Sequence, residues 1–362
     1  MDNSAYNHEV RVGELDNNRT NSLSEGMTDK IYENIAGYKT KSMKNNLKAM
    51  DTTIEYLNDY LLCTFFKQGL NFGIFETIKY NPKLDNVTDF LSYPNKDFLI
   101  DYIKTAVKLG IIKCEDKVLE LNSEFQITLK HPLYDYFMED YILRYDFMAN
   151  LARYALISYD HPDILLNFKK DADIWDMISN TSYSNACREI IAEYLDIDIN
   201  DSILDVGCGS RSPEFYASRL GPNGKYTGVD FSKKLLKIAE NRVKRQGMDW
   251  ATLKPIDFRD AIIKNKYDYV ICTYTLKYAP SIKTFLKKMM DATRTGGKVV
   301  IAEEFFKDTT NVSVDLFEFY NRLNKFFGGY VSKEDIINTL DHMGYDFEYK
   351  TLSNGIFVIE KL

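Results

Sequence analysis

Residues Ser202 to Arg211, Ser-Ile-Leu-Asp-Val-Gly-Cys-Gly-Ser-Arg, constrain this chain more than any other stretch, because a short apolar strand there runs through an acid into a glycine-rich turn. Ile203, Leu204 and Val206 read as a buried parallel strand. Gly207 and Gly209 free the backbone for a tight turn, and Pro213 suits the first turn of a following helix. Such a turn presents bare backbone, which predicts a nucleotide-type cofactor pocket at a strand end of an α/β sheet. A dinucleotide would want glycines at the first, third and sixth positions, with its pyrophosphate on the helix N-terminus, but the sixth position is Ser212. Asp205, two residues before Gly207, would repel a phosphate and favours a cation.

Further strands follow, and most end at an acid. Lys225 to Val229 runs into Asp230, 23 residues after Gly207, where a carboxylate either takes both ribose hydroxyls or caps the helix opening at Phe231-Ser232. A third candidate strand, around Trp250 to Leu253, precedes Pro255-Ile256-Asp257-Phe258. Tyr267 to Cys272 reads as a fourth, followed by Thr273-Tyr274-Thr275-Leu276-Lys277-Tyr278 at its C-terminal end, the side on which open parallel sheets bind ligands. Gly296-Gly297 turns into a fifth, Lys298 to Ala302, which ends at Glu303 and Glu304.

On these motifs the chain resembles the class I S-adenosylmethionine-dependent methyltransferases, whose first motif reads acid-x-Gly-x-Gly. The resemblance implies a doubly wound, Rossmann-like α/β sheet and S-adenosylmethionine as cofactor. That molecule carries a sulfonium and an ammonium group but no phosphate, which suits Asp205 at the mouth of the turn. Implied cofactor contacts are Asp205, Gly207, Cys208, Gly209, Asp230, Phe231 and Thr273, with Asp257 accepting from the adenine amino group and Phe258 packing on its ring.

Composition fits a soluble enzyme. At 362 residues the chain exceeds one typical domain, and 45% hydrophobic content is ordinary for a globular protein. A net charge of −7 argues against a nucleic-acid surface. Five cysteines without paired spacing and four scattered histidines predict neither a disulfide framework nor a metal site. No apolar run approaches the roughly 20 residues of a membrane helix, and the polar start lacks a signal-peptide core. We therefore expect a cytoplasmic protein that binds neither membrane nor nucleic acid.

Ahead of the cofactor domain, residues 1–28 are polar and read as a flexible arm. Met50, Ile54, Leu57, Leu61 and Phe65 recur at helical spacing. Asn95 to Leu109 reads as a capped helix stopped by Gly110, and Ile111 to Lys113 with Val118 to Leu121 read as a hairpin around Glu115-Asp116-Lys117. Helices ending in such a hairpin predict a mostly α-helical, winged-helix-like domain over 29–130. Asp97 and Asp101 beside Lys104 and Lys108 make its candidate recognition helix a poor match for DNA.

The order of a winged-helix-like part, connecting helices over 131–195 and a methyltransferase domain over 196–362 is similar to the small-molecule O-methyltransferases of the plant caffeate and bacterial polyketide type. That similarity implies a homodimer through the N-terminal domain, which would also roof a small-molecule acceptor. Ile174-Trp175-Asp176-Met177 and Tyr183-Ser184-Asn185-Ala186-Cys187 resemble elements that lie over cofactor and substrate. With the ring-rich stretch through Tyr154, the segment after the fourth strand and the helix from Val314 to Phe327, they nominate Tyr154, Trp175, Tyr183, Tyr274, Tyr278 and Tyr320 for substrate contact.

Departures from the family bear on mechanism. Lys277 stands where a phenol-methylating member has its histidine base, and a lysine of ordinary pKa, roughly 10.4, is a poor base at neutral pH. Glu303 keeps the position of the first supporting acid, while the second is missing and the third loop glycine is Arg211. Lys277 and Glu303 are therefore the catalytic candidates, Lys277 as an anchor for an acceptor that ionises readily. Two other functions remain open: non-methylating chemistry on the same cofactor, such as decarboxylation or hydroxylation, and ligand sensing by a winged-helix regulator.

Overall fold

The computed structural model describes residues 41–125, 136–157, 165–310 and 312–362, so the expected arm at 1–28 lies outside the described residues. The described chain opens with helix α1, Lys41–Asn71, which buries Met43, Leu47, Met50, Leu57, Leu61 and Phe65 along one stripe. Gly73, at φ 70°, breaks the chain before α2, Ile74–Tyr80, and α3, Leu84–Leu91, follows. Helix α4, Lys96–Lys108, starts at Asn95, whose side chain accepts from Phe98 N at 3.0 Å. Strands β1, Ile112–Glu115, and β2, Val118–Leu121, form the expected hairpin. Asp116 and Lys117 turn it in the left-handed region that a two-residue hairpin loop needs.

Three helices bridge to the sheet: α5, Tyr136–Ile157; α6, Ala172–Ile178; and α7, Ser182–Leu195, capped by Thr181. The sheet alternates strands with helices: β3, Ser202–Val206; α8, Ser212–Leu220; β4, Lys225–Asp230; α9, Lys233–Arg245; β5, Ala251–Pro255; β6, Tyr267–Thr273; α10, Ile282–Ala292; β7, Thr293–Ala302. After β7 come α11, Val314–Asn321, α12, Lys333–His342, and the strands β8, Phe347–Ser353, and β9, Ile356–Lys361. The sheet order is β5-β4-β3-β6-β7-β9-β8, with the first five strands parallel and β9 antiparallel to both neighbours. The chain reverses its direction of travel between β3 and β6, which opens a crevice beyond their carboxyl ends.

Three elements differ from the sequence reading. Strand β5 begins one residue after Trp250, whose indole donates to Ala217 O at 2.7 Å. Strand β7 starts at Thr293, and Gly296-Gly297 lies within it, at an irregularity in its pairing with β6. The helix expected to reach Phe327 stops at Asn321, because the chain then bridges Asn324 to Leu166.

The N-terminal helices pack directly on this domain. Arg322 forks Asp101 of α4 at 2.9 and 3.1 Å, and the ring of Phe319 meets Phe65 of α1 edge-on at 5.1 Å. Among the described residues, no helix is long and apolar enough to cross a membrane.

Candidate functional site

The glycine turn after β3 adopts the conformation that only its sequence allows. Gly207 and Gly209 lie at φ 69° and 58°, and a Cβ on Gly207 would run into the side chain of Thr275. Gly209 has open space in front of it and lines a cavity of about 610 Å³. Asp230, at the end of β4, stitches the two loops together: it accepts from Gly209 N at 3.0 Å on one oxygen and from Ser232 N at 2.7 Å on the other. Each oxygen keeps a free lone pair, and the residue lines the cavity. Burial pushes its carboxyl up to about 6. The cap of α9 is Ser232, not Asp230.

Asp205 is placed differently from the expectation. It is buried beneath the turn, 1% exposed, does not line the cavity, and accepts from Tyr226 Oη at 2.7 Å. Burial pushes its carboxyl up to about 7. It lies in the interior because it belongs to β3, a strand paired on both sides.

A roof covers the turn. Phe168 packs its ring against Trp175 at 4.4 Å, Tyr278 at 5.0 Å and Phe231 at 5.7 Å, and its carbonyl accepts from Ser232 Oγ at 2.7 Å. Asp176, beside Trp175, receives forks from Arg211 and Arg242 and a bond from Ser210. The buried polar atoms of cavity-lining residues that have no hydrogen-bond partner among the described residues include Trp175 Nε1, Asn324 Nδ2 and Thr273 Oγ1. The orphaned donor of Asn324 is unambiguous, since its Oδ1 accepts from Phe326 N at 2.9 Å.

Another part of the lining is ionic. Tyr274, just past β6, sits at φ 50°, a strained conformation for a bulky residue, held by its N–H on Ala302 O at 2.7 Å. This bend brings Leu276 N to Glu303 Oε1 at 2.7 Å and places the Lys277 ammonium 5.0 Å from the Tyr274 ring and 5.5 Å from the Tyr278 ring. Lys277 pairs with Glu303 at 3.3 Å and also with Glu304, which Arg144 of α5 reaches at 3.1 Å. Burial pulls the lysine's pKa down, but the charges of Glu303 and Glu304 outweigh it and leave the pKa raised. Burial raises Glu303, whereas Lys277 and Arg144 overcome burial and hold Glu304 low. Lys277 thus sits as a buried ammonium between two carboxylates.

Of the residues nominated from sequence, the cavity brings together Gly207, Cys208, Gly209, Asp230, Phe231 and Thr273 on one wall. Trp175, Tyr183, Tyr274, Lys277 and Tyr278 line the rest. Others stand apart. Asp257 is forked by Arg259 at 3.1 and 2.8 Å, and Phe258 is buried against Phe285 because the apolar ring completes the core beneath the loop. Glu303 sits behind Lys277, and the cavity face belongs to Glu304. Tyr154 is 60% exposed on α5, away from the lining. Tyr320 is buried between helices, its hydroxyl on Gln68 Oε1 at 2.9 Å.

Arg144, Arg188 and Asn324 line the cavity without having been nominated. Arg188 is 4% exposed, donates to Ser179 O and Asn185 Oδ1 at 2.6 Å each, and has no carboxylate within salt-bridge distance among the described residues. Burial lowers its pKa. Its sequence signal was its place one residue past the Tyr183 to Cys187 element.

A family defined by a methyltransferase domain matches residues 197–333. The uncharacterized protein MJ0906 of Methanocaldococcus jannaschii is 52% identical over 322 residues, 88% of each chain. The demethylmenaquinone methyltransferase of Anoxybacillus flavithermus is 29% identical over 175 residues, 46% of this chain and 72% of its own. Among solved structures, the CurJ carbon methyltransferase covers 94% of this chain and 96% of its own with a TM-score of 0.52 and 13% identity, a likeness of fold alone.

Proposed function

We propose, from the premise that this chain belongs to one family with the Methanocaldococcus jannaschii protein MJ0906 and is a class I S-adenosylmethionine-dependent methyltransferase, that it methylates a small acceptor which enters the cavity already ionised. One observation carries this reading. The residue at the position of the family's base is a lysine held cationic by Glu303 and Glu304, so it can hold negative charge but cannot remove a proton. No histidine is among the described residues lining the cavity.

The residues present fit the cofactor. Asp230 offers a free lone pair on each oxygen to a pair of ribose hydroxyls, Gly209 leaves bare backbone beside it, and Arg188 is a buried cation with no carboxylate partner among the described residues, suited to the methionine carboxylate. When bound, S-adenosylmethionine supplies a methyl group on a positively charged sulfur. The chain's own residues then do three things. The rings of Phe168, Trp175, Phe231 and Tyr278 exclude water, which strengthens every charge interaction inside. Lys277 and Arg144 offset Glu303 and Glu304, so that part of the lining does not repel an anion. The unpartnered Asn324 Nδ2 donates to an acceptor oxygen and fixes its direction.

The similarity to a demethylmenaquinone methyltransferase supports a small molecule as acceptor; methylation at oxygen is the finer reading and rests on the sequence's resemblance to the small-molecule O-methyltransferases. The helices and hairpin up to residue 121 support a winged-helix-like dimerisation domain, and light scattering at the mass of two chains tests the homodimer. The lost base also favours a second reading, non-methylating chemistry on the same cofactor. The deciding experiment is calorimetric titration with S-adenosylmethionine and S-adenosylhomocysteine, followed by an acceptor screen read by mass. Binding of both, with S-adenosylhomocysteine accumulating beside a product heavier by one methyl group, is the expected result. Binding with products that never carry the methyl group selects the second reading, and no binding by the folded protein overturns both.

A further inference from the structure

The cofactor loop carries Arg211 where the family has its third glycine. The backbone tolerates this, since Arg211 lies at φ −109° and ψ −39°, an ordinary right-handed conformation. The difficulty is the side chain. Ser210 and Ser212 on either side both line the cavity, and an arginine between them has the reach to fill it. Arg211 does not line the cavity, because its guanidinium is drawn away to Asp176 of α6, Nε to Oδ1 at 3.0 Å and Nη2 to Oδ2 at 2.9 Å. Arg242 of α9 places a second fork on the same carboxylate at 2.6 and 2.9 Å, and Ser210 Oγ adds a bond to Oδ1 at 2.6 Å. Asp176 is thereby tied to the loop and to α9 at once, with its own side chain only 15% exposed.

We propose that Asp176 is a positioning residue for cofactor binding, which holds Arg211 out of the groove and so keeps open a loop that lacks the third glycine. The inference rests on the cofactor assignment above and concerns how this chain achieves it. Without Asp176 the two arginines are not equally stranded. Arg242 keeps the Ser210 carbonyl at 3.0 Å and Glu214 at 3.9 Å, whereas Asp176 is the one carboxylate in salt-bridge distance of Arg211 among the described residues. The buried carboxylate of Asp230 is bonded to the same loop, at Gly209 N two residues before Arg211, and faces the cavity into which a released Arg211 would turn. Pairing there would occupy the oxygens that the ribose needs and set a second positive charge beside the sulfonium.

The test is the dissociation constant of S-adenosylhomocysteine, measured by calorimetry on the full chain, with thermal melts of each protein alone. Asp176→Asn should weaken binding about tenfold or more, Arg211→Gly should change it less than about threefold, and the double variant should return to the Arg211→Gly value. A double variant as weak as Asp176→Asn overturns the proposal, because Asp176 would then act only by tying down α6. An Asp176→Asn protein that binds like the wild type overturns it too. Arg211→Lys provides an arm that leaves Asp176 in place. A lysine cannot make the fork, so it should bind the ligand at least about threefold more weakly than Arg211→Gly, and equal affinities count against the proposal. A wild-type protein that melts cooperatively but binds no S-adenosylhomocysteine removes the cofactor assignment itself, an outcome distinct from any of these.

Discussion

The sheet buries two pairs of carboxylates at its strand ends, and it treats them in opposite ways. Asp205 and Asp230 face no cation at salt-bridge distance among the described residues; their bonds come from Tyr226 and from the backbone of Gly209 and Ser232. Burial raises both, to about 7 and about 6. Glu303 and Glu304 share Lys277 between them, and Glu304 has Arg144 besides. Of the first pair, Asp230 lines the cavity and has oxygens free for a ligand while Asp205 lies beneath it on Tyr226; the second pair is neutralised by the protein itself. Identical side-chain chemistry on one sheet thus leaves Asp230 open to the cavity and Glu304 balanced by cations.

The largest effect comes from breaking the balanced pair. Lys277→Met leaves Glu303 and Glu304 in the interior with Arg144 alone, and removing one partner of a buried ion cluster costs about 3–5 kcal/mol. Chemical denaturation measures it. Adding Glu303→Gln should recover a large part, since the carboxylate left without its cation is then gone. A loss under about 1 kcal/mol would mean that the cluster is solvated and that the two pairs are not different in kind.

Asp230→Ala acts on the carboxylate that the cavity leaves open and should do the reverse, sparing stability and removing ligand. Two hydroxyls hydrogen-bonded to a carboxylate are worth about 1.5–3 kcal/mol each, so S-adenosylhomocysteine should bind at least about thirtyfold more weakly. Unchanged affinity in the calorimeter would take Asp230 out of the cofactor site.

Asp205 and Glu304 answer pH with opposite signs, while Glu303, raised by burial, follows Asp205. Asp205 has its folded pKa raised from 3.8 to about 7, so the stability it contributes is fully present below the ordinary value and is lost as pH rises through about 7. Glu304, held below its ordinary value by Lys277 and Arg144, contributes stability above that value which is lost as pH falls. Free protein should therefore lose up to about 1.4 kcal/mol per pH unit from Asp205 between about pH 5 and 7, a slope that Asp205→Asn abolishes. The same slope in both proteins, followed by urea unfolding, would show that Asp205 is not buried alone.

Much of this contrast could be read along the chain, and the remainder could not, for a physical reason. The glycine turn and Asp230 announce themselves because strand period, turn chemistry and spacing are local properties, and Lys277 is marked by the family resemblance, at the place of its histidine. Glu303 and Glu304 both lie past the end of β7, where strand alternation no longer tells one side from the other, so sequence favoured Glu303 while Glu304 took the cavity face. Arg144 reaches Glu304 across 160 residues, and Arg242 reaches Asp176 across 66, neither with any local mark. Tyr154 and Tyr320 were nominated for ring content, which does not distinguish an exposed helix face or an interhelical contact from a cavity wall.

Asp257 offers the smallest effect and the finest test of the contrast, because it is an acid after a strand that belongs to neither pair. Its carboxylate is part-exposed at 28% and forked by Arg259, whose hydrogen bond holds its pKa below the ordinary value. It therefore needs no ligand to be satisfied; Oδ1 already takes Arg259 N and Nε, but Oδ2, which takes Arg259 Nη2 alone, has room for one more donor. An adenine amino group bonding to it in partial contact with water is worth about 0.5–1.5 kcal/mol, so Asp257→Ala should weaken S-adenosylhomocysteine about two- to tenfold, far less than Asp230→Ala. Affinity for adenosine alone should fall by the same factor, since the contact is with the base. If both ligands bind unchanged, Asp257 serves Arg259 only, and adenine is held by apolar packing. A loss as large as that of Asp230→Ala would mean that Arg259 releases the carboxylate on binding and that the adenine end, too, is a pair waiting to be completed.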